Sequence, residues 1–147
     1  MKNKGFSLVE LIIVIAIMAI LAGALVPTLI KYINNARLSN DINTGREIAN
    51  AIMEAVTSED AYESAEEHTT PVKVNEMDGP DFKAEVFEII SMTNVKGTAK
   101  KDVDGSLFPS QDFYYTLDSK RNKVEVFYGD KTSAYMVYPI AGNKIAK

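Results

Sequence analysis

Few side chains in this sequence are typed and spaced for chemistry, and the clearest group lies at its start. Gly5 and Phe6 follow a short leader bearing Lys2 and Lys4, and a single acid, Glu10, closes the stretch Gly5-Phe6-Ser7-Leu8-Val9-Glu10. Residues 11–27 then carry no charge and no strong hydrogen-bonding side chain. An acid at the mouth of such a run is suited to charge pairing. A carboxylate inside a membrane costs roughly 2.5–3.5 kcal/mol on insertion scales, so one retained there needs a partner of opposite sign.

The other candidates are weaker. His68 is the sole histidine and lies in an acidic stretch. Without a second nitrogen ligand it is expected to face solvent and to bind no metal. Asp102-Val103-Asp104-Gly105-Ser106 suggests a calcium loop, but Lys100 stands where the first acid of the EF-hand spacing belongs. No bidentate Glu follows at the right distance either, so an ordinary turn is expected. Nucleophile elbow, phosphate loop, metal cluster and spaced acid pair are all lacking, so neither catalysis nor a cofactor is expected.

The element that must position Glu10 is long. Residues 6–30 as a helix would span roughly 37 Å, enough to cross a bilayer core of about 30 Å. Three readings fit such a segment. A secretory signal peptide would use Lys2 and Lys4 as its basic region and Ala22-Gly23-Ala24 as its cleavage site, yet the apolar pattern runs on to Ile30. A plain membrane anchor with its N-terminus in the cytoplasm fits the two lysines but leaves Glu10 unexplained.

The third reading accounts for the acid. The basic leader, the Gly5-Phe6 junction, Glu10 and the apolar run closely resemble the processing motif of type IV pilins and pseudopilins. The resemblance implies cleavage after Gly5 by a membrane-embedded prepilin peptidase and methylation of the new N-terminus at Phe6. It also implies that Glu10 pairs with the terminal amine of a neighbouring subunit during assembly. Cutting creates an ammonium in an apolar setting, and a carboxylate lets both charges be tolerated as a buried pair. Glu10 in the first turns of a helix also lies favourably in the helix dipole. A helix kink is expected at Gly23 and Pro27, since a helical proline costs about 3 kcal/mol and crowds the carbonyl four residues back. The resemblance further implies that this turn loosens on assembly.

Behind the span, Leu38, Ile42, Gly45, Ala49, Ile52 and Val56 recur at spacings of four and three, predicting one helix from about Phe6 to Val56. Residues 58–67 either extend it or add a short helix, within what the resemblance marks as a variable surface loop. Thr69-Thr70-Pro71 breaks the helical pattern, and 71–74 suits a brief strand. Asp78-Gly79-Pro80 starts a short helix to about Ser91. Strands are expected at 113–117, 123–128 and 134–138, joined by hairpin-length loops, with Lys120, Arg121 and Lys123 on a solvated turn. The fold class is therefore α+β; the resemblance implies the type IV pilin fold, a long N-terminal helix whose C-terminal half packs on a small antiparallel sheet. The expected organisation is a leader at 1–5, a membrane and filament-core helix at 6–30, and a head at 31–147 with about three strands.

The sequence counts 16 basic and 20 acidic side chains, a net charge of −4, and losing Lys2 and Lys4 with the leader leaves 14 against 20. An acidic head disfavours nucleic acid as a partner. With no cysteine there is no disulfide to staple the tail at 139–147, which must be held by packing or be mobile. The resemblance implies a pilus subunit that polymerises through its N-terminal helix, served by a prepilin peptidase, an assembly ATPase and a platform protein. Such a subunit rests in the inner or cytoplasmic membrane before assembly and in a surface pilus after it. A pseudopilin of a secretion or DNA-uptake apparatus, and an anchored domain that is never cut, are the alternatives.

Overall fold

The computed structural model describes residues 5–146. The described chain falls into two compact units that divide between Ile33 and Asn34. Helix α1, Leu8–Ala55, is continuous and runs through Pro27. Every described residue up to Ile33 is exposed.

The unit from Asn34 is built on the last turns of α1. There α1 buries Leu38, Asp41, Gly45, Ile48, Ala49, Ala51, Ile52 and Ala55. The expected stripe is thus turned by about one residue: Ile42 and Val56 sit at its margin, half-buried, and Asp41, Ile48 and Ala55 lie inside. Gly45 has a packing reason, because a Cβ there would collide with the Val137 side chain. The glycine lets the sheet approach the helix backbone.

Helix α2, Glu59–Ser64, follows as a separate short helix. Strand β1, His68–Lys73, comes next; β2 is Phe113–Leu117, β3 Val124–Tyr128 and β4 Met136–Tyr138. They form one antiparallel sheet in the order β1-β2-β3-β4, with four strands where about three were expected. Strand β1 begins earlier than the sequence suggests and contains Pro71. It is an edge strand with an irregular register between His68 and Val72, the setting in which a proline does not interrupt a ladder. Strand β4 is shorter than expected because Ser133–Tyr135 form a turn of 3-10 helix instead. Helix α3, Pro80–Ile89, opens as anticipated with Gly79 at positive φ and Pro80 in the first turn. Ser64 Oγ accepts from the Phe82 N–H at 2.8 Å, tying α3 to the end of α2.

Two further side chains depart from expectation. His68 is not a solvated loop residue: its side chain is 12% exposed, packs edge-on to Tyr115, and stands 3.6 Å from Asp78 Oδ2. Arg121 does not simply solvate its hairpin. It donates to the Ala65 carbonyl at 2.6 Å and lies over the Tyr62 ring.

The tail is held by packing. Ile145 is buried in the core, and the Lys144 backbone donates its N–H to the Ala134 carbonyl and accepts from the Val103 N–H. The Asp102–Ser106 stretch is a turn, as expected: Asp102 Oδ1 accepts from the N–H groups of Asp104 and Ser106, and Gly105 has φ 89°. The Lys144 ammonium stands 2.9 Å from Asp104 and 3.4 Å from the buried Asp102 Oδ2, so a lysine supplies positive charge to this turn. The hydrogen bond to Asp104 holds the Lys144 pKa above its usual value of 10.5. A cation raised in this way adds stability at lower pH and loses it as pH climbs through the folded value. A melting-temperature gap between the chain and Lys144→Met is therefore expected at neutral pH, shrinking above pH 10.5. A gap unchanged under strongly alkaline conditions contradicts this account.

Candidate processing and assembly site

Gly5, Phe6 and Ser7 precede the helix in non-helical, exposed backbone, with Phe6 83% exposed. The Gly5–Phe6 bond therefore lies outside any described helix or strand. Among the described residues, no atom lies within 4 Å of where a Cβ on Gly5 would sit. Packing among the described residues does not demand glycine there.

Glu10 lies in the first turn of α1 and its carboxylate turns back along the chain. Ser7 N–H donates to Glu10 Oε2 at 2.8 Å, and Val9 N–H donates to Ser7 Oγ at 3.3 Å. The Leu11 N–H reaches the Ser7 carbonyl at 3.2 Å, closing the first turn. Ser7-Leu8-Val9-Glu10 is thus a variant capping box, with the serine hydroxyl taking the second rather than the third helical N–H. Two of the open N–H groups at the helix start are satisfied by this pair. Ser7 is a site residue that reading the motif for charge alone passes over. The serine three residues ahead of an acid, just before an apolar run, is the signal that finds it.

Behind the cap stand Leu8, Val9, Leu11, Ile12 and the rest of an apolar surface reaching Ile33, all exposed within the chain. Burying a side chain of this kind stabilises by about 1.5–3 kcal/mol, so covering the surface is worth on the order of tens of kcal/mol. The helix is long and apolar enough to cross a membrane. Gly23, like Gly5, has open space where a Cβ would point, whereas Gly45 and Gly97 face close neighbours. A glycine inside a helix costs about 1 kcal/mol relative to alanine. Gly23 has no packing reason within its own chain.

No group of three metal-ligating side chains occurs among the described residues. Asp41, buried in the head like Asp102, is instead a hydrogen-bond acceptor for the 98–99 backbone. Its position was open to inference, since it falls three residues after Leu38 and four before Gly45 on the buried face.

Residues 1–26 match the family model of the prokaryotic N-terminal methylation motif. Searches of curated proteins and of solved structures return no match to the chain. A long N-terminal helix followed by a small antiparallel sheet is the α+β arrangement of the pilin fold. With that architecture behind a matched N-terminus, the chain carries the class III signal peptide that is the hallmark of type IV pilin and pseudopilin precursors.

Proposed function

We propose that the chain is the structural subunit of a type IV pilus. Cleavage after Gly5 and N-methylation of Phe6 prepare it, and it polymerises by burying its apolar helix among identical helices. The observation that carries this reading is the exposed apolar surface from Phe6 to Ile33, headed by one carboxylate. Such a surface needs cover, and a membrane before assembly and neighbouring helices after it both provide cover. Glu10 answers the ammonium of a neighbouring Phe6, with its carboxylate already turned towards the N-terminal side by the Ser7 N–H. Gly23 and Pro27 make the weak turn at which the helix adapts to its neighbours. A prepilin peptidase, an assembly ATPase and a platform protein serve the process.

Mass spectrometry of the protein from cells is the test. The mature chain is expected to begin at N-methylated Phe6, and a chain that keeps its leader overturns the reading. Gly5→Ala is expected to leave the precursor uncut, visible as a heavier, unmethylated species retained in the membrane fraction. Normal processing of that variant would contradict the assigned cleavage site. Electron microscopy separates the pilus from the pseudopilus: long surface filaments containing this chain support the first, and polymer confined to the envelope assigns the second.

A further inference from the structure

Subunits that all point one way and are displaced along one axis meet through heterologous contacts, so each needs two different, complementary patches. The folded unit from Asn34 carries such a pair. One is a groove of about 370 Å³ between α1 and α3, lined by Ala51, Ile89 and Ile90 and by the exposed Glu47, Asn50 and Glu54. The other is a knob on the loop before β2. Leu107 there is 71% exposed, and an antiparallel bridge sets it opposite Lys101, also exposed. An apolar side chain beside an ammonium matches a groove in which Ala51, Ile89 and Ile90 lie beside two carboxylates.

The placement of the two patches fits as well. Lys101 is fixed to α1 at Asn34, whose side-chain amide donates to the Lys101 carbonyl at 2.9 Å and accepts its N–H at 3.3 Å. At about 1.5 Å and 100° per helical residue, the groove glutamates centre roughly 25 Å farther along α1 and lie about 200–220° around it. Knob and groove therefore occupy opposite sides of one helix at different heights. A chain cannot fill its own groove, whereas a copy shifted along the axis can. The wider charge distribution agrees: residues 46–91 hold 12 acids against 3 bases, and residues 92–147 hold 6 against 9. The segment that contributes the groove is thus net acidic and the segment that contributes the knob net basic.

We propose that Leu107 and Lys101 of one subunit dock into the α1–α3 groove of a second copy, with Lys101 paired to Glu47 or Glu54, as a head-to-head contact of the polymer. This rests on the polymer reading above and names the surface by which the heads engage.

Cross-linking tests it cleanly because the chain has no cysteine. A disulfide needs Cα atoms within about 7 Å, so a bond between knob and groove has to join two chains. Filaments carrying Leu107→Cys together with either Glu54→Cys or Ile90→Cys are oxidised and run without reductant. A ladder of multimers from at least one pair is expected, with single-cysteine filaments remaining monomeric. Abundant filaments with no ladder from either pair overturn the contact, and so does a cross-link to a different protein in place of the ladder. Should the cysteine pairs fail to assemble, Lys101→Glu and Glu47→Lys/Glu54→Lys are each expected to lower filament yield at least tenfold, with their combination restoring it. No restoration overturns the contact. A wild-type chain that forms no polymer refutes the polymer reading itself, and with it this contact; wild-type filaments lacking both cross-link and charge rescue refute the contact alone.

Discussion

Glu10→Ala is expected to lower the yield of assembled filament by two to three orders of magnitude while leaving the head folded. If the chain polymerises as proposed, the substitution strands the Phe6 ammonium of a neighbour among apolar helices. Breaking a buried ion pair from one side costs about 3–5 kcal/mol, and 1.4 kcal/mol is tenfold in an equilibrium. The variant also removes the acceptor for the Ser7 N–H, held at 2.8 Å in the chain. That second loss is smaller, since a missing helix cap costs about 1 kcal/mol. Two companions separate the contributions. Ser7→Ala removes the hydroxyl that accepts from Val9 but keeps the acid, and should reduce the yield less than tenfold. Glu10→Gln keeps an acceptor for Ser7 without the charge, and should assemble almost as poorly as Glu10→Ala. Filament mass sedimented per cell, with the thermal melt as a folding control, reads all three. Normal assembly of Glu10→Gln would show that the cap matters and the charge does not.

The parts of this protein that are legible from sequence alone are those where one chemical property dominates. The apolar span and its single acid stand out because nothing polar competes with them. The start of α3 is announced by Gly79 and Pro80, whose backbone preferences leave little choice. The unexpected parts are those where tertiary contacts overrule local type. Drawing the α1 stripe through apolar positions alone skips Asp41, because the partners that make burial tolerable lie at Thr98 and Ala99, far off in sequence. Thr69-Thr70-Pro71 reads as a break ahead of a brief strand, whereas β1 runs through it from His68 because it is an edge. Acid-rich neighbours make His68 look solvated, yet pairing with Leu117 places it beside Tyr115. Within the proposed assembly site, Glu10 is conspicuous by its charge. Ser7 is less so, because its contribution is a backbone N–H and a hydroxyl that any helix start could use.

Asp41→Ala is expected to destabilise the head by about 3 kcal/mol, a fall of roughly 10 °C in melting temperature. Asp41 is 1% exposed, and its carboxylate gathers the 98–99 segment. Both oxygens accept from the Thr98 N–H at 3.0 Å, Oδ1 accepts from the Thr98 hydroxyl at 3.2 Å, and Oδ2 accepts from the buried Ala99 N–H at 2.7 Å. The Tyr128 hydroxyl donates to the Ala99 carbonyl at 2.6 Å, and its ring lies where a side chain on Gly97 would have to go. Burial first, and then the Asp41 charge, hold the Tyr128 phenol well above its usual range, so it remains a donor. Removing the carboxylate leaves the N–H groups without an acceptor, at about 1–3 kcal/mol for each one that stays buried. Asp41→Asn keeps one acceptor oxygen and loses the charge, and should fall about midway. The consequence reaches assembly, because the same loop leads to Lys101 and Leu107. If those residues form the contact between heads, Asp41→Ala should loosen the knob and lower filament yield along with the melting temperature. An Asp41→Ala chain that melts at the wild-type temperature would mean that Asn34 and Tyr128 hold the loop without the acid.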